Sequence, residues 1–352
     1  MKKARIGIIG VGWWGTVGHL EPLSKDPKTD LIAVWSRTED KARKRAERYG
    51  VPHYYTDYQK MIDECNLDGV TIASTPNMHY EQARYALEHG LHVLLEKPFV
   101  LKAEHANMLQ QKAQEKGLLL TVCHPILYQP LMTEARQEVR SGNLGDILMI
   151  SALFSQRVYD LYKGDVTRFF HGRSDDTPCS NANSYSEPAI VGGGEGHTQA
   201  AHIIGAMLWL TGLTPVSVFA YMNNLDLKVD VVDAMAIRFT NGAVAAVAAN
   251  GLLPPGMSAV QLQIQGNKGI LSFDSMNHSL YVQTEGDRGP RKIEPKTPDR
   301  HDTLAAVPNN FVRTILGEEE LYVETDVAIN EVRILDAAYR SAANSQEARI
   351  EL

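Results

Sequence analysis

The chain has 352 residues, with 35 Lys and Arg against 42 Asp and Glu and a formal charge of −7, a balance that argues against nucleic acid or an anionic membrane as a partner. Its length suits two domains, and its three cysteines, Cys65, Cys123 and Cys179, fit no paired metal or disulfide spacing and point to a reducing compartment. The N-terminus runs straight into a strand-like pattern without an apolar signal segment, and no apolar run reaches the roughly 18 residues of a membrane span, so the expectation is a mature, soluble, cytoplasmic protein.

The segment "ARIGIIGVGWWG" is a β-branched run that ends in Gly10, Gly12 and Gly15, with Trp13 and Trp14 between the last two. "LIAVWS" at 31–36 reads as a second buried strand, so a helix is expected between them. Further along come a helix in "TEDKARKRAERYG", whose basic face is expected to be solvated, a short apolar segment near Pro52 to Tyr55, and a helix in "MIDECN". "GVTIAST" and "HVLLEKP" then read as strands on either side of the helix "MHYEQARYALEHG". Strands alternating with helices predict a parallel sheet covered on both faces, a doubly wound α/β domain.

At that position a G-x-G-x-x-G turn has a defined job. The first glycine permits the turn, the second lets the backbone approach a pyrophosphate, and the third packs helix on strand, with the phosphates at the helix N-terminus. A dinucleotide is therefore the expected cofactor. At the end of the second strand stand Trp35, Ser36, Arg37 and Thr38, with no carboxylate before Glu39. A hydroxyl beside a guanidinium suits the 2′-phosphate of NADP. NAD is the alternative, with Arg37 then facing solvent.

"DGVTIASTPNMHYEQARYALEHGLHVLLEKPFVL" resembles the Gfo/Idh/MocA oxidoreductases, whose signature here is Thr-Pro-Asn-x-x-His, then Gly-x-His-Val, then Glu-Lys-Pro. The matching residues are Thr75, Pro76, Asn77, Gly90, His92, Glu96, Lys97 and Pro98, with the histidine one place early at His79. "PLMTEARQEVRSGNLGDILMI" and "LDAAYRSA" at 335–342 are also similar to the family, whereas 155–190 carries no recognisable match. The resemblance implies a Rossmann-type dinucleotide-binding domain at 1–124, with Thr75, Pro76, Asn77, His79, Glu96 and Lys97 near the cofactor. A substrate-binding and oligomerisation α+β domain is expected at 125–352, its last helix, about 325–345, packing back toward the first. In the family the lysine of Glu-Lys-Pro contacts substrate and nicotinamide ribose, and that role carries over to Lys97. A lysine ending a parallel strand would also point into the ligand crevice.

In "VGGGEGHTQAAHIIGAMLWLTG" at 191–212, relatives place an aspartate four residues before a catalytic histidine. His202 takes the histidine position, but Thr198 stands where the aspartate would be. An α-helical repeat puts Thr198, His202, Gly205 and Trp209 on one stripe and leaves His197 about 140° away from His202. His197 is therefore expected to start the helix, satisfied by hydrogen bonds, and shared metal ligation by the two histidines is not expected; no metal is predicted. His202 is the candidate general acid/base, because imidazole titrates near neutrality. Thr198 cannot titrate usefully but can bond a substrate hydroxyl or orient His202.

"VSVFAYMNN", "DAMAIRFTNGAVAAVAANGL", "AVQLQIQGNKGILSFD" and "SLYVQTE" read as strands joined by turns at "TNGA" and "GNKG", giving an open, mainly antiparallel sheet. Its apolar "AVAAVAA" is either covered by a second copy, making a homodimer or homotetramer, or central within one subunit. The segment 156–190 is polar and aromatic without a clear period, and Tyr128, Arg157, Arg168, Arg173 and Tyr185 are candidates for reading substrate hydroxyls or an anionic group.

The expected function is an NADP-preferring dehydrogenase or reductase of a sugar, polyol or sugar derivative, with Lys97 polarising the substrate oxygen and His202 exchanging its proton. Two alternatives stay open: glycoside cleavage by transient oxidation and elimination, and a cofactor-sensing regulator without turnover.

Overall fold

The computed structural model describes residues 2–165, 184–296 and 303–351; Arg168, Arg173 and Cys179 lie outside them. The described residues form two compact units, one comprising chiefly 2–125 and 303–329, the other 126–165, 185–296 and 330–351.

The first unit is built on six strands, β1 (Ala4–Ile9), β2 (Thr29–Trp35), β3 (His53–Tyr55), β4 (Gly69–Ile72), β5 (His92–Glu96) and β6 (Leu120–Cys123). They lie in the order β3-β2-β1-β4-β5-β6, and every neighbouring pair is parallel. The order reverses between β1 and β4, the point where such a sheet opens a crevice at its carboxyl edge. All four residues of β4 are buried, as expected for a strand covered on both faces. The connecting helices include α1 (Glu21–Lys25), α2 (Glu39–Tyr49), α3 (Tyr58–Glu64), α4 (Pro76–Glu88) and α5 (Ala103–Lys116). Asp57 starts α3 by accepting the backbone N–H groups of Gln59 and Lys60 at 2.9 and 3.3 Å. β6, only four residues long, shows no period in the sequence and becomes visible only through its pairing with β5.

The second unit carries a nine-stranded sheet in the order β14-β13-β12-β11-β7-β10-β9-β8-β15. These strands are β7 (Ile147–Gln156), β8 (Pro215–Asn223), β9 (Val232–Phe239), β10 (Val244–Asn250), β11 (Ser258–Gly266), β12 (Gly269–Asp274), β13 (Ser279–Thr284), β14 (Arg291–Lys292) and β15 (Ala348–Arg349). Only β7 and β10 pair in parallel; the other neighbours are antiparallel. β7, which the sequence pattern does not mark as a strand, lies inside the sheet between β10 and β11. Its helices are α6 (Pro130–Arg140), α7 (Tyr159–Tyr162), α8 (Pro188–Val191) and α9 (Ala201–Thr211). α9 packs on β7 and α6, with the Arg136 guanidinium 4.3 Å above the Trp209 ring. The "AVAAVAA" segment is β10. It is central in the sheet, yet it buries Ala245, Val247 and Ala249 on one side and exposes Val244, Ala246 and Ala248 on the other.

Two more helices follow, α10 (Thr303–Ile315) and α11 (Thr325–Asn344). α10 lies against α1 and β5 in the first unit, where Arg313 Nη2 meets the buried Asp26 carboxylate at 2.8 Å. The start of α11 belongs to the same unit, where Thr121 Oγ1 donates to Val323 O just before the helix at 3.0 Å.

Candidate functional site

The three glycines after β1 have three different surroundings. Gly10 has φ +103°, and a Cβ there would lie 2.6 Å from the Ala73 carbonyl. A Cβ on Gly15 would come within 1.9 Å of Gly10 O, whereas one on Gly12 would meet nothing within 4 Å. The outer two are therefore required by the protein's own backbone, while the middle one faces open space, the cradle a pyrophosphate needs. The chain then winds into a wide π-type turn, Gly15–Leu20, a form often found at functional positions. The cradle fits a dinucleotide.

Glu96 ends β5 as the hub beside this turn. One carboxylate oxygen accepts from Trp14 Nε1 at 2.5 Å and lies 2.9 Å from His19 Nε2; the other accepts the Lys97 N–H at 3.1 Å. Burial opposes the charge on Glu96, but the hydrogen bonds and charge of His19, the Cys123 thiol and Lys97 outweigh it and hold its pKa below the usual carboxylate value. His19, Glu96 and Cys123 bring one donor atom each within 4.8 Å of the others. Burial and the neighbouring Glu96 raise the Cys123 thiol well above its usual value. Trp13 lies against Trp14, their rings 5.5 Å apart.

Lys97 is half-buried after β5, and its bond to Pro98 is cis. His79 sits beneath that turn, 1% exposed. Its Nδ1 is 2.9 Å from Pro98 O and its Nε2 is 3.3 Å from Ser74 O. Both ring nitrogens thus face backbone carbonyls, and burial lowers its pKa despite them. Thr75 stands at the N-cap position of α4 without a side-chain capping bond, Pro76 opens the helix, and Asn77 is exposed. At the end of β2, Ser36 is buried with its N–H on Tyr55 O at 3.1 Å, while Arg37 and Thr38 are exposed.

In the second unit, residues 194–196 bond through their backbone to a buried aspartate, Asp230, that is not among the residues expected from the sequence. Asp230 accepts from Gly194 N at 2.7 Å, Gly196 N at 2.8 Å and Tyr339 Oη at 2.8 Å. A Cβ on Gly194 would lie 1.9 Å from Asp230 O, so this close approach needs glycine. Asp233 lies near, 2% exposed; burial first, and then the Asp230 carboxylate, push its pKa well above the usual value. Two carboxylates three residues apart in "DVVD" were the signal available in the sequence.

The segment Gly196–Ala200 is a π-type turn that leads into α9, so the regular α-helical stripe assumed for 198–209 does not hold at its start. His197 is 3% exposed and stacks on Tyr339 at 4.8 Å, and its Nδ1 has no hydrogen-bond partner. Burial pushes its pKa down to about 4. His202 is half-buried and stacks on Phe154 at 5.6 Å. Thr198 Oγ1 touches Tyr162 Oη and lies 2.8 Å from Gly194 O, and Tyr162 Oη lies 3.0 Å from Glu195 Oε2. Of the other candidates, Arg157 is paired with Asp160 at 2.9 Å, Tyr185 packs on a cluster that includes Val158 and Tyr162, and Tyr128 is half-buried.

Comparison with known proteins matches residues 4–124 to the model of the oxidoreductase family with an NAD-binding Rossmann fold, and residues 132–272 to the GFO/IDH/MocA C-terminal domain. The chain is 24% identical over 341 residues to D-xylose 1-dehydrogenase (NADP(+)) 2 of Haloferax volcanii, covering 96% of each chain. It is 30% identical over 191 residues to scyllo-inositol 2-dehydrogenase (NADP(+)) of Bacillus subtilis, covering 53% of this chain and 57% of that one. In fold it is similar to levoglucosan dehydrogenase in complex with NADH and levoglucosan, with a TM-score of 0.85, 20% identity and full coverage of both chains.

Proposed function

Because the chain belongs to the Gfo/Idh/MocA family of NAD-binding oxidoreductases, we propose that it transfers hydride between NADP(H), in preference to NAD(H), and a sugar, polyol or sugar derivative. The carrying observation is Gly12 facing open space between two glycines that the backbone itself requires. Gly10, Gly12, Gly15, Trp13 and Trp14 would hold the pyrophosphate side, and Ser36, Arg37 and Thr38 the ribose phosphate. Thr75, Pro76 and Asn77 would line the cofactor's path, with Glu96 and His79 fixing the turn that carries Lys97. The bound cofactor supplies the hydride acceptor or donor.

Lys97 is the residue that holds and polarises the substrate oxygen, its ammonium favouring the alkoxide side of the reaction. His202 takes the hydroxyl proton during oxidation and returns it during reduction. Tyr128, Tyr185 and Thr198 bind further substrate oxygens; Arg157, paired with Asp160, reaches substrate only by giving up that partner. The names of the relatives support a carbohydrate substrate. The exposed side of β10 and its neighbours, with Tyr221, Val244 and Tyr281 exposed, supports a homodimer or homotetramer formed through the sheet. Among the described residues no helix is long and apolar enough to cross a membrane.

The test is absorbance at 340 nm with NADP+ and with NAD+ across D-xylose, D-glucose, scyllo-inositol, myo-inositol and levoglucosan. Reduction of NADP+ by a panel member, lost about 100-fold or more in Lys97→Met and in His202→Ala, is the expected result. Glycoside cleavage without net reduction would replace it with the oxidative-elimination reading.

A further inference from the structure

Trp14 stands directly before the π-type turn Gly15–Leu20, two residues beyond the open-facing Gly12. Its indole Nε1 donates to Glu96 Oε1 at 2.5 Å, although 82 residues of sequence separate the two. The other carboxylate oxygen, Oε2, accepts the backbone N–H of Lys97 at 3.1 Å. One planar carboxylate thus ties the turn that would cradle a pyrophosphate to the turn that carries the lysine.

We propose that Trp14, through Glu96, couples the dinucleotide turn to the Lys97 turn, so that a bound cofactor sets the position from which Lys97 meets the substrate. This rests on the dehydrogenase reading. Trp14 is a positioning residue: its indole N–H is engaged by Glu96, and the phosphates are left to the backbone N–H groups at the start of the helical turn.

The surroundings suit a link that transmits displacement. Glu96 is 4% exposed and His19 is fully buried, so bulk water does not replace a lost partner. His19, on the same π-type turn as Gly15, brings Nε2 to 2.9 Å from Glu96 Oε1, and the register of β5 on β6 sets Cys123 beside Glu96. With both oxygens engaged, the carboxylate cannot rotate without losing a bond either to the glycine turn or to Lys97. The indole is itself confined, since a Cβ on Gly18 would stand 3.4 Å from its Nε1.

Trp14→Phe keeps an aromatic ring over Gly18 and removes the donor. Glu96→Gln keeps one acceptor oxygen, which cannot serve both donors. The experiment follows amide hydrogen exchange of the segment 96–101 with and without saturating NADP+ or NAD+, beside steady-state kinetics on the best panel substrate. Cofactor is expected to slow exchange of that segment about tenfold in the wild-type protein and less than about twofold in either variant. In Trp14→Phe kcat should fall about tenfold, with cofactor Kd within about threefold of wild type as the check on folding. In a Lys97→Met background the same substitution should lower kcat no further, because an indole that acts through Lys97 then has nothing to position. Equal protection of 96–101 in the wild type and in a folded variant overturns the proposal, as does a Trp14→Phe penalty that persists in full without Lys97. A weakened cofactor Kd with kcat unchanged overturns it too, by assigning the indole to cofactor binding. Exchange coupling in a wild-type protein that turns over no panel member supports the link between the two turns and overturns the dehydrogenase reading.

Discussion

The Tyr339 hydroxyl donates to Asp230 Oδ1 at 2.8 Å across 109 residues of sequence. The C-terminal helix and the strand-edge carboxylate that gathers the glycine loop are thereby one hydrogen-bonded unit, because Asp230 also holds the N–H groups of Gly194 and Gly196. Tyr339→Phe keeps the ring stacked on His197 and removes only the donor. A hydrogen bond to a charged group contributes about 2 kcal/mol, so denaturant unfolding should show a loss of that order.

His197 makes stability depend on acid. Its folded pKa is pushed down to about 4 by burial, against the pull of Asp230 and Asp336, while the unfolded chain takes up the proton near the ordinary histidine value. Stability from this group is therefore complete above roughly pH 6.5 and falls as pH drops toward the folded pKa, by about 3 kcal/mol in all. His197→Phe, which preserves stacking on Tyr339, should flatten the acid limb of a Tm-against-pH curve; an unchanged limb would show that the ring does not stay neutral in the fold.

Asp233 acts in the opposite sense. Its pKa is raised by burial and by Asp230, so above the ordinary aspartate pKa the unfolded chain loses a proton that the folded chain keeps. Stability then declines as pH rises through that window until the folded pKa is reached. Asp233→Asn keeps the size of the side chain and removes the titration. In thermal melts its Tm relative to wild type should climb as pH rises above the ordinary aspartate pKa.

The glycines of the first turn should separate binding from folding. Gly12→Ala introduces a methyl into open space and should raise the cofactor Kd about tenfold with Tm unchanged. Gly15→Ala drives a methyl into Gly10 O and should destabilise the protein by about 3 kcal/mol. Fluorescence titration and thermal melts of both variants decide between these effects.

Arg37 is exposed at the end of β2. If it pairs with a 2′-phosphate, Arg37→Ala should raise KM for NADP+ about 10- to 100-fold and leave NAD+ nearly unchanged, as the loss of a charge-assisted bond implies. Equal effects on both cofactors would assign the guanidinium another role.

Much of the first unit was legible because its signals are local. Alternating strands and helices, Gly10, Gly12 and Gly15 after β1, and Lys97 at the end of β5 all occupy the places their spacing suggests. β7 was not legible, since "ILMISALFSQ" has no clean alternation and becomes a strand through β10 and β11 on either side. The stripe through Thr198 and His202 assumed a regular helix, and a π-type turn at 196–200 alters it in a way no residue pattern announces.

The sequence by itself determined the doubly wound first domain and its glycine turn, because periodicity and glycine spacing act over neighbouring residues, and the family resemblance offered Lys97 and His202 as candidates. Only the tertiary structure decided what surrounds Thr198 and His197. Tyr162, Glu195, Asp230, Asp233 and Tyr339 come together from a short helix, a glycine loop, the approach to a strand and its start, and the C-terminal helix. Their protonation and hydrogen bonds follow from burial and mutual contact, quantities that exist only once the chain has folded.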